Sequence, residues 1–335
     1  MNLLTLGVTQ LLRARSSLAH TSPKAKGLFF AVITIIIWVS FIIIARASSH
    51  GTLSGLDIAA LRILGASSVL IPIGFWINKS NFESPDANGP SSFWGLSPLN
   101  LRLTMQMGLA GGLLYAVFSY SGFFFAPAAH ASVLLPGSLP LWTTLIAWVV
   151  ISQPINTHRM LGLFLILVGD LLVGGSSLFN TFYSPGMWRG DLLFILASIS
   201  WSFYTVLVRQ HNVKAVHATT AITVFAFFTY IPAYIFLCVF GLVKSNLQEA
   251  PLSTLAFQFL FQGILSVVIS GITFNQMIRY FGPVRSTMIT AIVPGLSAIG
   301  ANIILGEYMS LNVAVGLGLV TLGILFGVQR VSLKS

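Results

Sequence analysis

Charge is scarce in this 335-residue chain. Asp, Glu, Lys and Arg make up 7% of it against 56% hydrophobic residues, a balance outside that of soluble domains and typical of polytopic membrane proteins. Acidic residues are scarcest, seven in all and scattered, so the carboxylate clusters that serve metals or general acid and base work are not expected. A single cysteine, Cys238, lies inside an apolar run, which excludes an internal disulfide and a cysteine-based metal site. His20, His50, His130, His158, His211 and His217 fall between apolar runs or at their ends, with no spacing that would gather a metal. No phosphate-binding glycine loop followed by Lys and Ser or Thr appears, so nothing in the chain points to ATP hydrolysis, and no cofactor is expected.

What the chain does have is one apolar run after another. A helix needs about 20 apolar residues to cross the hydrocarbon core, and lipid leaves no backbone group unpaired. The runs 28–45, 56–77, 104–125, 131–151, 160–178, 192–208, 219–243, 255–278, 286–305 and 311–328 therefore predict ten spanning helices. The net charge of +10 is not gathered on one polar face, as nucleic acid would require; it punctuates the ends of the runs. Positive loops stay cytoplasmic. With the N-terminus inside, only Arg46, Arg189 and Lys244 face outward, while Lys24, Lys26, Lys79, Arg102, Arg159, Arg209, Lys214, Arg279 and Arg285 face inward. Both termini are thus expected in the cytoplasm of a cell whose plasma membrane, of the bacterial inner-membrane kind, holds the protein. Residues 1–26 read as a cytoplasmic segment, frayed or lying on the surface, or as the product of a start codon set too early. Phe93, Trp94, Tyr183 and Trp188 at run ends suit interfacial anchors.

The chain is also written twice. Ser132, Pro140, Ala147, Gly162, Leu163, Leu165, Gly169 and Leu171 recur at one constant offset as Ser286, Pro294, Ala301, Gly316, Leu317, Leu319, Gly323 and Leu325. Gly27, Trp38 and Arg46 recur as Gly190, Trp201 and Arg209, and tryptophan is rare enough, seven in all, for that match to carry weight. The landmarks place five runs in each half. Because five is odd, the second half must enter the membrane from the opposite side. The reading is an all-α integral membrane protein of two inverted five-helix repeats around a central cavity. The first repeat spans 27–178 and the second 190–329, with a linker at 179–189 and a tail at 330–335.

In transporters of this design, helices broken by Pro or Gly at matching positions mark the binding site. Pro136, Gly137 and Pro140 break the fourth run, and Pro294 with Gly295 breaks the ninth. Together with the Gly27 to Trp38 start echoed by Gly190 to Trp201, Ala60-Leu61-Arg62, Ser138-Leu139-Pro140-Leu141 and Leu305-Gly306-Glu307, they make residues 27–329 similar to the EamA-type branch of the drug/metabolite transporter superfamily. The resemblance implies a basket of ten helices with a cavity lined mainly by helices one, three, four, six, eight and nine. It implies alternating access for small metabolites, often amino acids or amphipathic compounds, usually in the direction of export, and no enzymatic step. Gln153 stands where the family often has Glu, and Asp170 where it usually has an apolar residue.

Trp38 and Trp201 are expected to floor the cavity from both halves, each offering a flat apolar face and one N–H donor. Tyr115, Tyr120, Tyr204 and Asn275, with Gln276, would add polar tips, and Pro136, Pro140 and Pro294 would shape the walls. Arg62, inside helix two, needs a partner: it either ties that helix to neighbouring carbonyls near the outer surface or anchors a carboxylate. Asp170 in helix five is either a hydrogen-bonded structural group or a proton carrier for coupling. Glu307 would brace the turn into helix ten, with gating as its other use. The glycine pairs Gly108 with Gly112 and Gly323 with Gly327 permit close helix contact, the last pair also a homodimer seam. Two other classes stay open: an integral membrane enzyme acting on a lipid, which the scattered acids disfavour, and a non-transporting sensor or assembly subunit.

Overall fold

The computed structural model describes residues 22–80, 91–179, 186–290 and 292–328. The expected surface segment before residue 22, Tyr183, most of the linker and the tail lie outside them. The described residues form ten helices: α1 Pro23–Ser48, α2 Gly55–Ser80, α3 Leu101–Phe123, α4 Ala128–Ile151, α5 Thr157–Phe179, α6 Met187–Gln210, α7 Ala215–Val239, α8 Leu252–Phe281, α9 Pro283–Leu305 and α10 Leu311–Val328. Nine are long and apolar enough to cross a membrane, and α10 is a shorter apolar helix. Local chemistry sets their ends. The Ser22 hydroxyl accepts the Ala25 N–H ahead of Pro23, and the Asn100 side chain accepts the Leu103 N–H to start α3.

The packing obeys the duplication. α1 packs on α8 as α6 packs on α3; α2 packs on α8 as α7 packs on α3; α1 packs on α9 as α6 packs on α4. The pairs α2–α7, α4–α9 and α5–α10 meet across the pseudo-two-fold itself. Two five-helix repeats related in this way, each with an odd number of spans, are inverted relative to one another. Small residues decide how close the helices come. A Cβ on Gly169 would sit 2.7 Å from the Gly316 carbonyl, and one on Gly323 2.5 Å from the Gly162 carbonyl, so the duplicated glycines of α5 and α10 face each other. Gly323 is therefore occupied within the chain, packed on α5 rather than held free for a second copy. Gly108 and Gly112 admit Phe225 and the Ile222 carbonyl of α7. Large apolar side chains such as Ile36, Val149, Val239 and Ile303 are more than half exposed and form the lipid-facing ring.

The expected breaks appear as irregular turns. α4 passes through π-helical turns at Val133–Gly137, and its second part resumes at Leu139 with Pro140 in its first turn. α9 breaks after Ile289 and resumes at Ile292 with Pro294 in its first turn. In a first turn the missing proline N–H leaves no bond unmade. Local hydroxyls serve some of the nearby carbonyls: Ser138 donates to Leu134 O at 2.7 Å and Ser297 to Val293 O at 2.7 Å. α3 and α8 each carry π-helical turns as well, Gly108–Leu114 and Phe259–Ile269. Such turns often mark functional segments.

Candidate functional site

The two broken helices meet at the centre, where a Cβ on Gly137 would touch Pro294 at 3.5 Å. Beside this crossing the duplicated tryptophans come together. The Trp38 and Trp201 rings lie 6.1 Å apart at 77°, edge to face. Around Trp201 stand Tyr115 at 4.7 Å, Tyr204 at 5.1 Å and Phe274 at 5.9 Å, with Phe274 also 4.8 Å from Trp38. α1, α3, α6 and α8 thus each place an aromatic ring at one point.

Trp201 separates two small cavities of about 20 Å³ each, room for a water and not for a metabolite. One is apolar, lined by Trp38, Phe41, Ile42, Tyr115, Leu135, Pro136, Leu139 and Val293. The other is more polar, with Arg62, Thr223 and Ser266 set among apolar residues such as Ile63, Ile222 and Val267. In this conformation the bundle is closed on itself. The Trp201 Nε1 and the Thr223 Oγ1 are buried without a hydrogen-bond partner among the described residues. Buried polar groups are seldom left so, and both border the second of these cavities.

Arg62 dominates the polar side. It is 6% exposed, and its Nη1 donates to Ser266 Oγ at 2.8 Å and to Tyr120 OH at 3.3 Å, with the Gln262 carbonyl at 3.5 Å. The rings of Phe41, Tyr115 and Tyr120 surround its guanidinium at 5.7 to 5.8 Å. All of these partners are neutral. Elsewhere Asp57 is engaged by Tyr234, Ser54 and Asn246, Asp191 by His130, and Glu307 by Arg46. Arg62 forms no ion pair among the described residues. It does not reach carbonyls near the surface alone, as one sequence reading had it; it reaches into the bundle. The reason is backbone proximity: Gly65 and Gly263 leave no room for a Cβ between α2 and α8, which brings helix two to the centre as a wall.

The other sequence candidates divide. Tyr120, 1% exposed, donates to Gln262 Oε1 at 2.7 Å and belongs with Arg62 rather than with the tryptophans. Asn275 Nδ2 donates to Tyr204 OH at 2.6 Å and to Thr219 Oγ1 at 3.1 Å, so it holds Tyr204 in place from behind. Pro136 lines the apolar cavity, while Pro140 and Pro294 are buried at the helix restarts. Asp170 is not at the centre; it borders a groove on the flank of α4, α5 and α6. Sequence reading missed Gln262 and Ser266, two polar residues one helical turn apart inside the apolar run of α8, and Phe41, one turn beyond Trp38.

At one end of the bundle a second arrangement joins both repeats. Arg46 Nε meets Glu307 Oε1 at 2.5 Å, and Arg46 Nη1 donates to the Phe123 carbonyl at 2.8 Å. Glu307 Oε2 accepts the Ala128 N–H at 2.9 Å. Glu307 therefore caps α4 of the other repeat instead of only bracing its own turn. The duplicated positions at the opposite end differ, for Arg209 is exposed and forms no ion pair among the described residues, and Gln153 stands in the place of the acid.

Comparison with known proteins agrees with this architecture. The chain is 27% identical to an uncharacterized transporter of Archaeoglobus fulgidus over 87% of its own length and 92% of the relative's. It is 23% identical to the uncharacterized transporter YyaM of Bacillus subtilis, over 69% of this chain and 75% of that one. A crystal structure 18% identical in sequence superposes with a TM-score of 0.58 over 91% of this chain and 97% of that chain, which shows a shared fold. Residues 25–175 and 188–328 each match the EamA-like transporter family, and the chain, a multi-pass membrane protein, belongs to that family.

Proposed function

We propose that this transporter moves small organic solutes that join a carboxylate to an aromatic or apolar body, amino acids of that kind among them, by alternating access in the direction of export. The observation that carries the reading is Arg62, a buried cation with neutral partners only, beside the aromatic cluster of Trp201. A carboxylate would complete the charge, and the rings offer its body a flat apolar surface. Access to that point requires the closed halves to part, which the pseudo-two-fold allows from either end in turn.

Counterflow in proteoliposomes tests this, with phenylalanine-like acids set against their amides. Trp201→Ala should weaken apparent affinity for the acid roughly tenfold, the order of one lost ring contact and its buried area, with purified yield unchanged. Equal counterflow by variant and parent would remove Trp201 from the site. The distribution of Lys and Arg supports a reading in which both termini are cytoplasmic. In a Cys238→Ser background, Lys244→Cys should react with an impermeant maleimide on intact cells and His211→Cys only after permeabilisation; the opposite pattern reverses the orientation.

A further inference from the structure

On the flank of the bundle, α4, α5 and α6 enclose a groove of about 520 Å³, lined by residues distinct from those of the central cavities. Trp142 from α4, Asp170 with Gly174 and Gly175 from α5, and Trp188 with Asp191 from α6 line it. Of the lining residues Leu171 and Leu192, the first is 63% and the second 48% exposed, so the groove opens sideways toward lipid. Its size is that of a small-molecule site.

Two polar atoms inside it are left over. Asp170 is 7% exposed, and its Oδ1 has no hydrogen-bond partner among the described residues. The Trp142 Nε1 is buried and equally unpartnered. The neighbouring charges are accounted for: Asp191 takes the His130 Nδ1 at 2.9 Å, and Arg189 lies over the Trp188 ring at 5.7 Å with its side chain exposed. A carboxylate at this depth with no cation to meet it among the described residues is costly. The glycine pair leaves open space in the lining, since a Cβ on Gly174 or Gly175 would touch nothing within 4 Å.

We infer that this groove binds an organic cation dissolved in the bilayer, an ammonium or phosphonium centre on an aromatic or alkyl body, with Asp170 as its counter-ion and the Trp142 and Trp188 indoles in its lining. The chemistry selects that class. The Asp170 carboxyl disfavours an anion, the lipid-facing rim disfavours a strongly hydrated solute, and indole faces attract a cation as well as an apolar body. The groove thus has the charge preference opposite to that of the Arg62 cavity.

The test is binding of tritiated tetraphenylphosphonium to the full chain in nanodiscs, read by scintillation proximity. The parent should show saturable binding of one cation per chain, weakened at least tenfold by Asp170→Asn and kept by Asp170→Glu. Gly174→Leu should block it by filling the groove, with a melting temperature within a few degrees of the parent's; if Asp170→Asn does not fold, this variant decides alone. Absence of saturable binding, equal binding by Asp170→Asn or Gly174→Leu and the parent, or equal competition by uncharged tetraphenylmethane would each overturn the inference.

Discussion

Replacing Arg62 with glutamine is expected to lower counterflow of a carboxylate solute about a hundredfold while leaving the protein at least as stable as the parent. The two halves of that expectation come from one fact, the absence of an acidic partner among the described residues. A charge-assisted bond between guanidinium and carboxylate, formed away from water, contributes about 1.5 to 3 kcal/mol, and the upper part of that range is a hundredfold in affinity. Glutamine is long enough to keep a bond to Ser266 or Tyr120, whose partners at 2.8 and 3.3 Å are otherwise lost. It also removes a buried cation whose desolvation is offset only by hydroxyls and ring faces, so unfolding should shift little or upward. Transport of the matching amide should change far less than that of the acid, which separates loss of charge recognition from general damage. An unchanged apparent affinity for the acid would rule Arg62 out as the anchor. A melting temperature many degrees lower would mean that Arg62 ties α2 to α8 and little else. Arg62→Lys keeps the charge without the planar fork and should fall between.

What could be read in advance follows the range of the interactions. Helix number was legible because each span must carry its own apolar run, a property of contiguous residues. The inversion was legible because Trp38 and Trp201, or Gly169 and Gly323, are compared along the chain without any knowledge of contacts. Trp38 and Trp201 could be gathered for the same reason: the repeat sends equivalent positions to one centre, while Tyr115 and Tyr204 were legible as polar-tipped rings within apolar runs. The rest depended on which backbones touch. Helix two reaches the centre because Gly65 meets Gly263, an encounter of residues far apart in sequence that no pattern announces. Tyr120, one helical turn and a little more from Tyr115, turns away to Arg62 and Gln262 because α8 brings Gln262 to it. Asp170 lay on a helix that the α5–α10 glycine seam holds at the flank, away from the cavity. Glu307 was read as a local brace because its partners, Arg46 and the Ala128 N–H, both belong to the other repeat.

That last pairing makes the second large prediction, which concerns access rather than affinity. The side chains of Arg46 and Glu307 are 17% and 14% exposed, so water screens their attraction only in part. Between them they hold the ends of α1 and α3, the start of α4 and the turn after α9. No comparable ion pair among the described residues holds Arg209 at the other end. Removing one charge from a pair of this kind costs about 2 kcal/mol or more in the state that contains it, roughly a thirtyfold shift in a two-state population. Glu307→Gln should therefore favour a conformation open at the Arg46 end. Leu135→Cys on the cavity wall, in a Cys238→Ser background, should then react with an impermeant thiol reagent at least tenfold faster from that side. Arg209→Gln should not alter the rate, because that arginine holds nothing closed. The pseudo-symmetry adds the converse: Gln153→Glu supplies the missing acid where the repeat would place it opposite Arg209, and should slow labelling from the far side. Unchanged labelling in Glu307→Gln would show that Arg46 and Glu307 only support the helix ends, and the parting of the two repeats would have to be controlled at the crossing of Gly137 and Pro294 instead.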